Sequence, residues 1–332
     1  MIAATLGTLV YTSQRKAVIL RGLDDLPGGS FYSNAISVSS DGSTVVSQAV
    51  SVNESDDPDT AFRWTEETGM LGLGDLIGGL FQSTAYGVSG DGSVVVGLGS
   101  TTTTVISLFE AFRWTEETGM VGLGVIPGTS YDYCHAFGVS DDGSVIVGIN
   151  TKFNSPGGEA FRWTQETGMV GLSDLAGGSF SSQALDVSAD GSVIVGEGTS
   201  SLGPQAFRWT AATGMVGIGY FPGGLFSSRA WAVSADGSVI VGSEQTADGE
   251  EAFRWSIDEG SVGLGWLHPS HLKPRAFAIS GNGSIVLGKS SGTAFVWDDV
   301  NGMRDLRSVL SATGADLTGW FLSRAFDISF DG

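Results

Sequence analysis

The residues that could do chemistry fall into a few small sets. Seven polar residues precede a recurrent alanine-aromatic or alanine-aliphatic step: Asn34, Thr84, His135, Gln183, Arg229, Arg275 and Arg324. The last three are arginines, in a chain with only 16 Lys plus Arg against 36 Asp plus Glu and a formal charge of −20. A local basic arc against an acidic background focuses anions, and guanidinium suits carboxylate, sulfate or phosphate. Arg229, Arg275, Arg324 and His135 are therefore the candidate ligand-binding residues. A second set, Tyr131, Asp132, Tyr133 and His135, offers the best acid/base grouping, but it holds no nucleophile–base pair and no paired-carboxylate spacing.

Other constellations have simpler readings. His268 and His271 form a weak metal spacing, and His135 lies far from them in sequence. Glu54, Asp56, Asp57 and Asp59 crowd one loop without the spacing of a calcium loop. Cys134 is the only cysteine, so no internal disulfide or Cys-based metal site can form. No metal or cofactor is expected.

Five further arginines, Arg63, Arg113, Arg162, Arg208 and Arg254, recur within Phe-Arg-Trp. The expectation is structural: each pairs with the turn aspartate of its own repeat, giving Arg63–Asp41, Arg113–Asp91, Arg162–Asp142, Arg208–Asp190 and Arg254–Asp236. In the sixth repeat Val296 replaces the arginine just where Asn282 replaces the aspartate, as a paired loss would.

The elements that position these residues follow from a repeat of roughly 45–50 residues, which must be found before any other reading. One piece is Ala-Phe-Arg-Trp-Thr leading to Gly-Met-x-Gly-Leu-Gly, at 61–74, 111–124, 160–173, 206–219 and 252–265, and worn at 294–306. The other is Val-Ser-x-Asp-Gly-Ser-Val-Ile-Val-Gly, as at 187–196 and 233–242. Each repeat reads as four short strands, a to d. Strand a is joined to b by an Asp-Gly turn, the strongest short hairpin signal. Strand b is a β-branched run ending in Gly, strand c carries the Trp, and strand d ends in a Pro-Gly-Gly-type loop. The turns fall at Asp41, Asp91, Asp142, Asp190, Asp236, Asn282 and Asp331, and the tryptophans are Trp64, Trp114, Trp163, Trp209, Trp255 and Trp297. The indoles are expected to wedge neighbouring units together.

Four antiparallel strands per repeat predict an all-β, seven-bladed β-propeller over residues 20–332. Residues 17–23 match strand d, and the chain stops just after a strand a near 324–329. The closing blade is therefore expected to lack strands b and c, with residues 8–11 as a stand-in for strand c. Residues 1–19 are read as an N-terminal segment, either a leader remnant or an extra edge strand. The one helical signal is 305–312, capped by Asp305 and ended by Gly314.

These motifs together (Phe-Arg-Trp-Thr, Gly-Met-x-Gly-Leu-Gly, Leu-Pro-Gly-Gly, the Asp-Gly-Ser run and His135-Ala136-Phe137) resemble the HAF-repeat family. Those are extracellular bacterial repeat proteins, read as propellers, of undetermined biochemical role. The resemblance spans residues 20–332 and implies an extracellular or cell-surface location, with no catalytic residues to transfer.

The acidic surface excludes a nucleic-acid partner, and no apolar run is long enough to span a membrane. The expectation is a monomeric, non-enzymatic binding or structural module that recognises an anionic ligand, a glycan or a surface protein at the channel mouth. The alternative is a polysaccharide hydrolase or lyase working in the axial funnel.

Overall fold

The computed structural model describes residues 2–4, 7–10, 19–26, 33–50, 59–79, 82–101, 109–130, 132–152, 157–221, 224–268 and 273–332. Each repeat becomes one four-stranded antiparallel sheet with strands in the order a-b-c-d. Blade 4 is typical: Gln183–Val187, Ile194–Ser200, Gly203–Thr210 and Gly214–Gly217. Six such blades follow one another along the chain, over 33–72, 83–122, 133–171, 183–217, 228–263 and 274–305.

The expectation of seven blades, the last incomplete, is corrected here. Six blades are continuous in sequence, and the remaining sheet is a four-stranded composite of both chain ends. In it Ala325–Ile328 pairs with Ile2–Ala4, that strand with Gly7–Val10, and the latter with Ile19–Arg21. Residues 2–4 thus supply the strand b that was expected to be missing, and 7–10 the strand c, close to the stand-in expected at 8–11. A sheet that borrows strands from the opposite terminus leaves no open edge at the seam, and nothing in the repeat register of 2–4 announced this.

The hairpin chemistry is uniform. In blade 2, Ser89 Oγ donates to Asp91 Oδ1 at 2.8 Å, and the Ser93 N–H donates to the same oxygen at 2.9 Å. The Val94 N–H then donates to Ser89 Oγ, also at 2.9 Å. Gly92 follows at φ 72°, which glycine adopts without a Cβ penalty. The serine is buried because both ends of its hydroxyl are engaged inside the turn.

Between the Ser and the Asp of each turn lies a residue that ties the blades into a belt. Its backbone N–H donates to the carbonyl of the next blade's equivalent: Gly90 to Asp141, Asp141 to Ala189, Ala189 to Ala235, Ala235 to Gly281, Gly281 to Phe330 and Phe330 to Ser40. The Asp41 N–H, donating to Gly90, closes the circuit.

Apolar contacts between adjacent blades form the core. Val94, Val96 and Ala111 of blade 2, for example, pack on Ala136, Ile146 and Phe161 of blade 3. The fully buried wedge is the phenylalanine of Ala-Phe-Arg-Trp, at 0–1% exposure for Phe62, Phe112, Phe161, Phe207, Phe253 and Phe295. Trp64 is buried, while the other five indoles are half-buried at the blade surface. Each such phenylalanine buries enough area to contribute about 1.5–3 kcal/mol. The strand-b glycine makes room for it: a Cβ at Gly242 would lie 2.1 Å from the Arg229 carbonyl and 2.6 Å from the Phe253 ring. The expected helix is Leu306–Ala312, capped by the Asp305 carboxylate on the Arg307 N–H, with Leu306 and Leu310 buried.

Candidate functional site: the axial mouth

Strand a lines the axis, and each copy is interrupted by a bulge after its alanine. A bulge re-aims side chains. Here it turns Ile36, Tyr86, Phe137, Leu185, Trp231, Phe277 and Phe326 into one axial cavity of about 220 Å³. The polar residue before each alanine stands at the mouth opposite the Asp-Gly turns, because strand a runs from that mouth to the turn.

Antiparallel register sets beside each of these residues the one that follows the strand-b glycine or its substitute. The pairs are Asn34 with Gln48, Thr84 with Leu98, His135 with Ile149, Gln183 with Glu197, Arg229 with Ser243 and Arg275 with Lys289. The strand-b member also reaches the next blade. Thr84 Oγ1 donates to Gln48 Oε1 at 2.6 Å. Arg229 makes a bidentate pair with Glu197, at 2.9 and 3.0 Å.

At the step from blade 6 to the composite sheet the same positions hold Lys289 and Arg324, two like charges. Among the described residues neither has an acidic partner within ion-pair distance. Arg275 stands beside them and reaches the Glu250 carboxylate at 2.7 Å. Burial, then Arg324 and Arg275, hold the Lys289 amine below its ordinary pKa, with Glu250 opposing. Three of the cations lie near an aromatic ring: Arg229 is 4.8 Å from the Trp231 centroid, Lys289 5.8 Å from Phe277 and Arg324 5.3 Å from Phe326.

The three predicted arginines therefore share one arc, over blades 5 and 6 and the composite sheet. Arg229 and Arg275 carry counter-charges, which leaves Lys289 and Arg324 as the uncompensated pair. Lys289, Glu197 and Glu250 were missed in the sequence. The signal for Lys289 and Glu197 was available, since pairing strand a with the residue after the strand-b glycine finds both.

His135 sits away from that arc, in blade 3, among rings: Tyr133 at 4.8 Å, Phe137 at 5.5 Å and Tyr86 at 6.2 Å. Burial lowers its pKa to about 4, so the imidazole is neutral at ordinary pH, and its Nδ1 is buried without a hydrogen-bond partner among the described residues. Nearby, Gln48 Nε2 donates to Asp59 Oδ2 at 3.1 Å. Deeper in the channel Asp186 takes the Val187 and Val233 N–H groups at 2.8 and 2.9 Å. Asp327 takes the Val38 N–H and the Ser37 hydroxyl in the same way. Both stitch adjacent strands a together.

The five expected Arg–Asp pairs do not form among the described residues. The turn carboxylates are already saturated by their own serines and N–H groups. Arg63 Nε instead donates to the Gly92 carbonyl of the next blade at 3.0 Å, and Arg254 pairs with Glu259 at 3.0 Å. In register, each strand-c arginine stands opposite an aliphatic on strand d: Leu71, Val121, Val170, Val216 and Val262. In blade 6 that pair is reversed, with Val296 on strand c opposite Arg304 on strand d. Blade 6 thus carries its arginine on strand d, where Arg304 pairs with Asp298.

Cys134 is fully buried, and burial raises its thiol to about 12, so it is an inert core residue. No group of three His, Cys, Asp or Glu with metal-holding geometry occurs among the described residues. Glu54, Asp56, Asp57, Tyr131 and His271 lie outside those residues, and His268 is exposed.

No family model matches the chain, and no curated protein sequence matches it. Among solved structures it is similar to an oligogalacturonate lyase from Vibrio parahaemolyticus, with 12% identity, a TM-score of 0.55, and 92% of this chain aligned to 85% of that one. It is also similar to TolB from Acinetobacter baumannii, at 13% identity and TM-score 0.51 over 79% of this chain. A third likeness is to prolyl oligopeptidase B from Galerina marginata, at 10% identity and TM-score 0.55 over 81% of this chain. The chain spans 65% of the TolB structure and 41% of the oligopeptidase. At these identities the likeness establishes the β-propeller fold alone. No helix among the described residues is long and apolar enough to cross a membrane.

Proposed function

We propose that the protein is a non-enzymatic binding module that takes an anionic ligand, with an acidic glycan favoured, at the mouth of its axial channel. The observation that carries this is the unpaired Lys289–Arg324 step, flanked by Arg275 and floored by Phe277 and Phe326, in a chain of net charge −20. Like charges held side by side cost stability, and a bound carboxylate or sulfate would neutralise them. The oligogalacturonate named in the lyase neighbour is an anionic glycan of the kind this mouth suits. By its resemblance to HAF-repeat proteins we read the chain as extracellular or displayed on a cell surface, as a ring whose last sector is the composite sheet.

Titration calorimetry with trigalacturonate, against a neutral oligosaccharide of equal length, tests the reading. Binding should be selective for the acid and weaken with salt. It should be lost in the Arg229→Ala/Arg275→Ala/Arg324→Ala variant, and equal binding of both sugars would refute the proposal. A second reading, a lyase or hydrolase in the funnel, has one supporting observation: burial raises Asp186 in the channel to about 7, so it can exchange a proton near neutrality. Release of an unsaturated or reducing end from polygalacturonate, abolished by Asp186→Asn, would favour it.

A further inference from the structure

The two halves of the mouth differ in chemistry. The half over blades 5 and 6 and the composite sheet carries cations on rings. The half over blades 1 to 3 carries rings with hydrogen-bonding groups: Tyr86, Tyr133, His135 and Phe137 beside Gln48, Thr84 and Asp59. Tyr86 and Phe137 on this side, and Phe277 and Phe326 on the other, line the same axial cavity.

We infer that this second half is a subsite for an uncharged sugar ring, adjoining the anionic group held by Lys289 and Arg324; the inference rests on the binding reading above. Aromatic faces cover the apolar face of a pyranose, and a few convergent polar groups then fix its hydroxyls. Thr84, Gln48 and Asp59 form a hydrogen-bonded chain from hydroxyl to amide to carboxylate, at 2.6 and 3.1 Å. Such a chain offers donors and acceptors without a cation. His135 adds a neutral imidazole whose Nδ1 is buried without a hydrogen-bond partner among the described residues. A buried polar atom without a partner is costly, and completing it is a gain the ligand supplies. The mouth is thus built for an oligosaccharide with an acidic unit on one side and a hydroxyl-rich ring on the other.

Calorimetry with galacturonic acid, and with a disaccharide and a trisaccharide in which one galacturonic acid unit is linked to neutral hexoses, tests this by the gain in affinity on adding uncharged rings. The wild-type protein should bind the longer acids at least about tenfold more tightly than the monomer. His135→Ala should keep monomer binding and lose the gain, while Lys289→Ala should lose monomer binding itself. Gln48→Leu, at the surface of the same subsite, gives the same readout should the histidine variant fail to fold. Monomer binding with no gain on lengthening overturns the subsite and leaves the anion site standing, as does a gain that survives in both variants. No binding of any of the three acids overturns the anion site and the subsite together.

Discussion

Replacing Lys289 by Glu should make the protein more stable and unable to bind its anion. The position is equivalent by register to Glu197, which forms a bidentate pair with Arg229 of the next blade. Lys289→Glu would recreate that pair with Arg324, whose guanidinium lies over Phe326 at the same step. Two effects add: removal of a like-charge contact, and formation of a half-exposed ion pair worth about 0.2–1 kcal/mol. The net gain is about 1 kcal/mol, which for a chain of this size raises the melting temperature by about 2 °C. Calorimetric melting, with and without trigalacturonate, reads both halves of the expectation. The variant should melt higher than wild type in buffer, and the ligand should shift wild type but not the variant. A variant that melts lower, or still shifts with ligand, would show that the Lys289–Arg324 contact is neither a strained step nor the anion site.

Stability should be greatest under mildly acidic conditions. Burial raises Glu244 and Asp186 to about 7, so their contribution is present below unfolded values of 4.5 and 3.8 and is lost as pH rises toward 7. The turn carboxylates run the other way. The Ser93 and Ser192 N–H groups lower Asp91 and Asp190, and the Ser140 and Ser234 hydroxyls lower Asp142 and Asp236; that stability is lost as pH falls below 3.8. Melting followed across pH should peak between these windows, and Glu244→Gln should flatten the decline toward neutrality. Ser47 occupies the strand-b glycine position in blade 1 with its hydroxyl buried and unpartnered among the described residues, so Ser47→Ala should stabilise by about 1 kcal/mol in chemical denaturation. Val296→Arg with Arg304→Val restores the arrangement of the other blades. Val296 is buried against Leu306 and Leu310, however, and Arg304 pairs with Asp298, so the double change should destabilise by more than about 2 kcal/mol in chemical denaturation, most of it from Val296→Arg.

The repeat made the sheets legible, because Asp-Gly turns, β-branched runs and strand-ending glycines each dictate local geometry. The Leu306–Ala312 helix was legible too, since Asp305 and the spacing of Leu306 and Leu310 act within a few residues. What escaped was whatever depends on neighbours in space. In the composite sheet the strand d at 19–21, the strand a at 325–328 and a strand c close to 8–11 were foreseen, while the strand b at 2–4 was not, since no local signal encodes its pairing with 325–328. Phe-Arg-Trp pointed to the larger indole as the wedge, yet the strand-b glycine gives the room to phenylalanine. The arginine arc was visible because its members share a motif position, whereas Lys289 on another strand needed the register to be found.

The exchange of Val296 and Arg304 bears on how repeats of this kind should be compared or redesigned. Aligned column by column, the sixth repeat looks degenerate at two places. Viewed as rungs of a ladder it is intact, since the same two side chains face each other with their strands traded. A consensus built by averaging single columns would discard that rung, and one built from opposed couples would keep it.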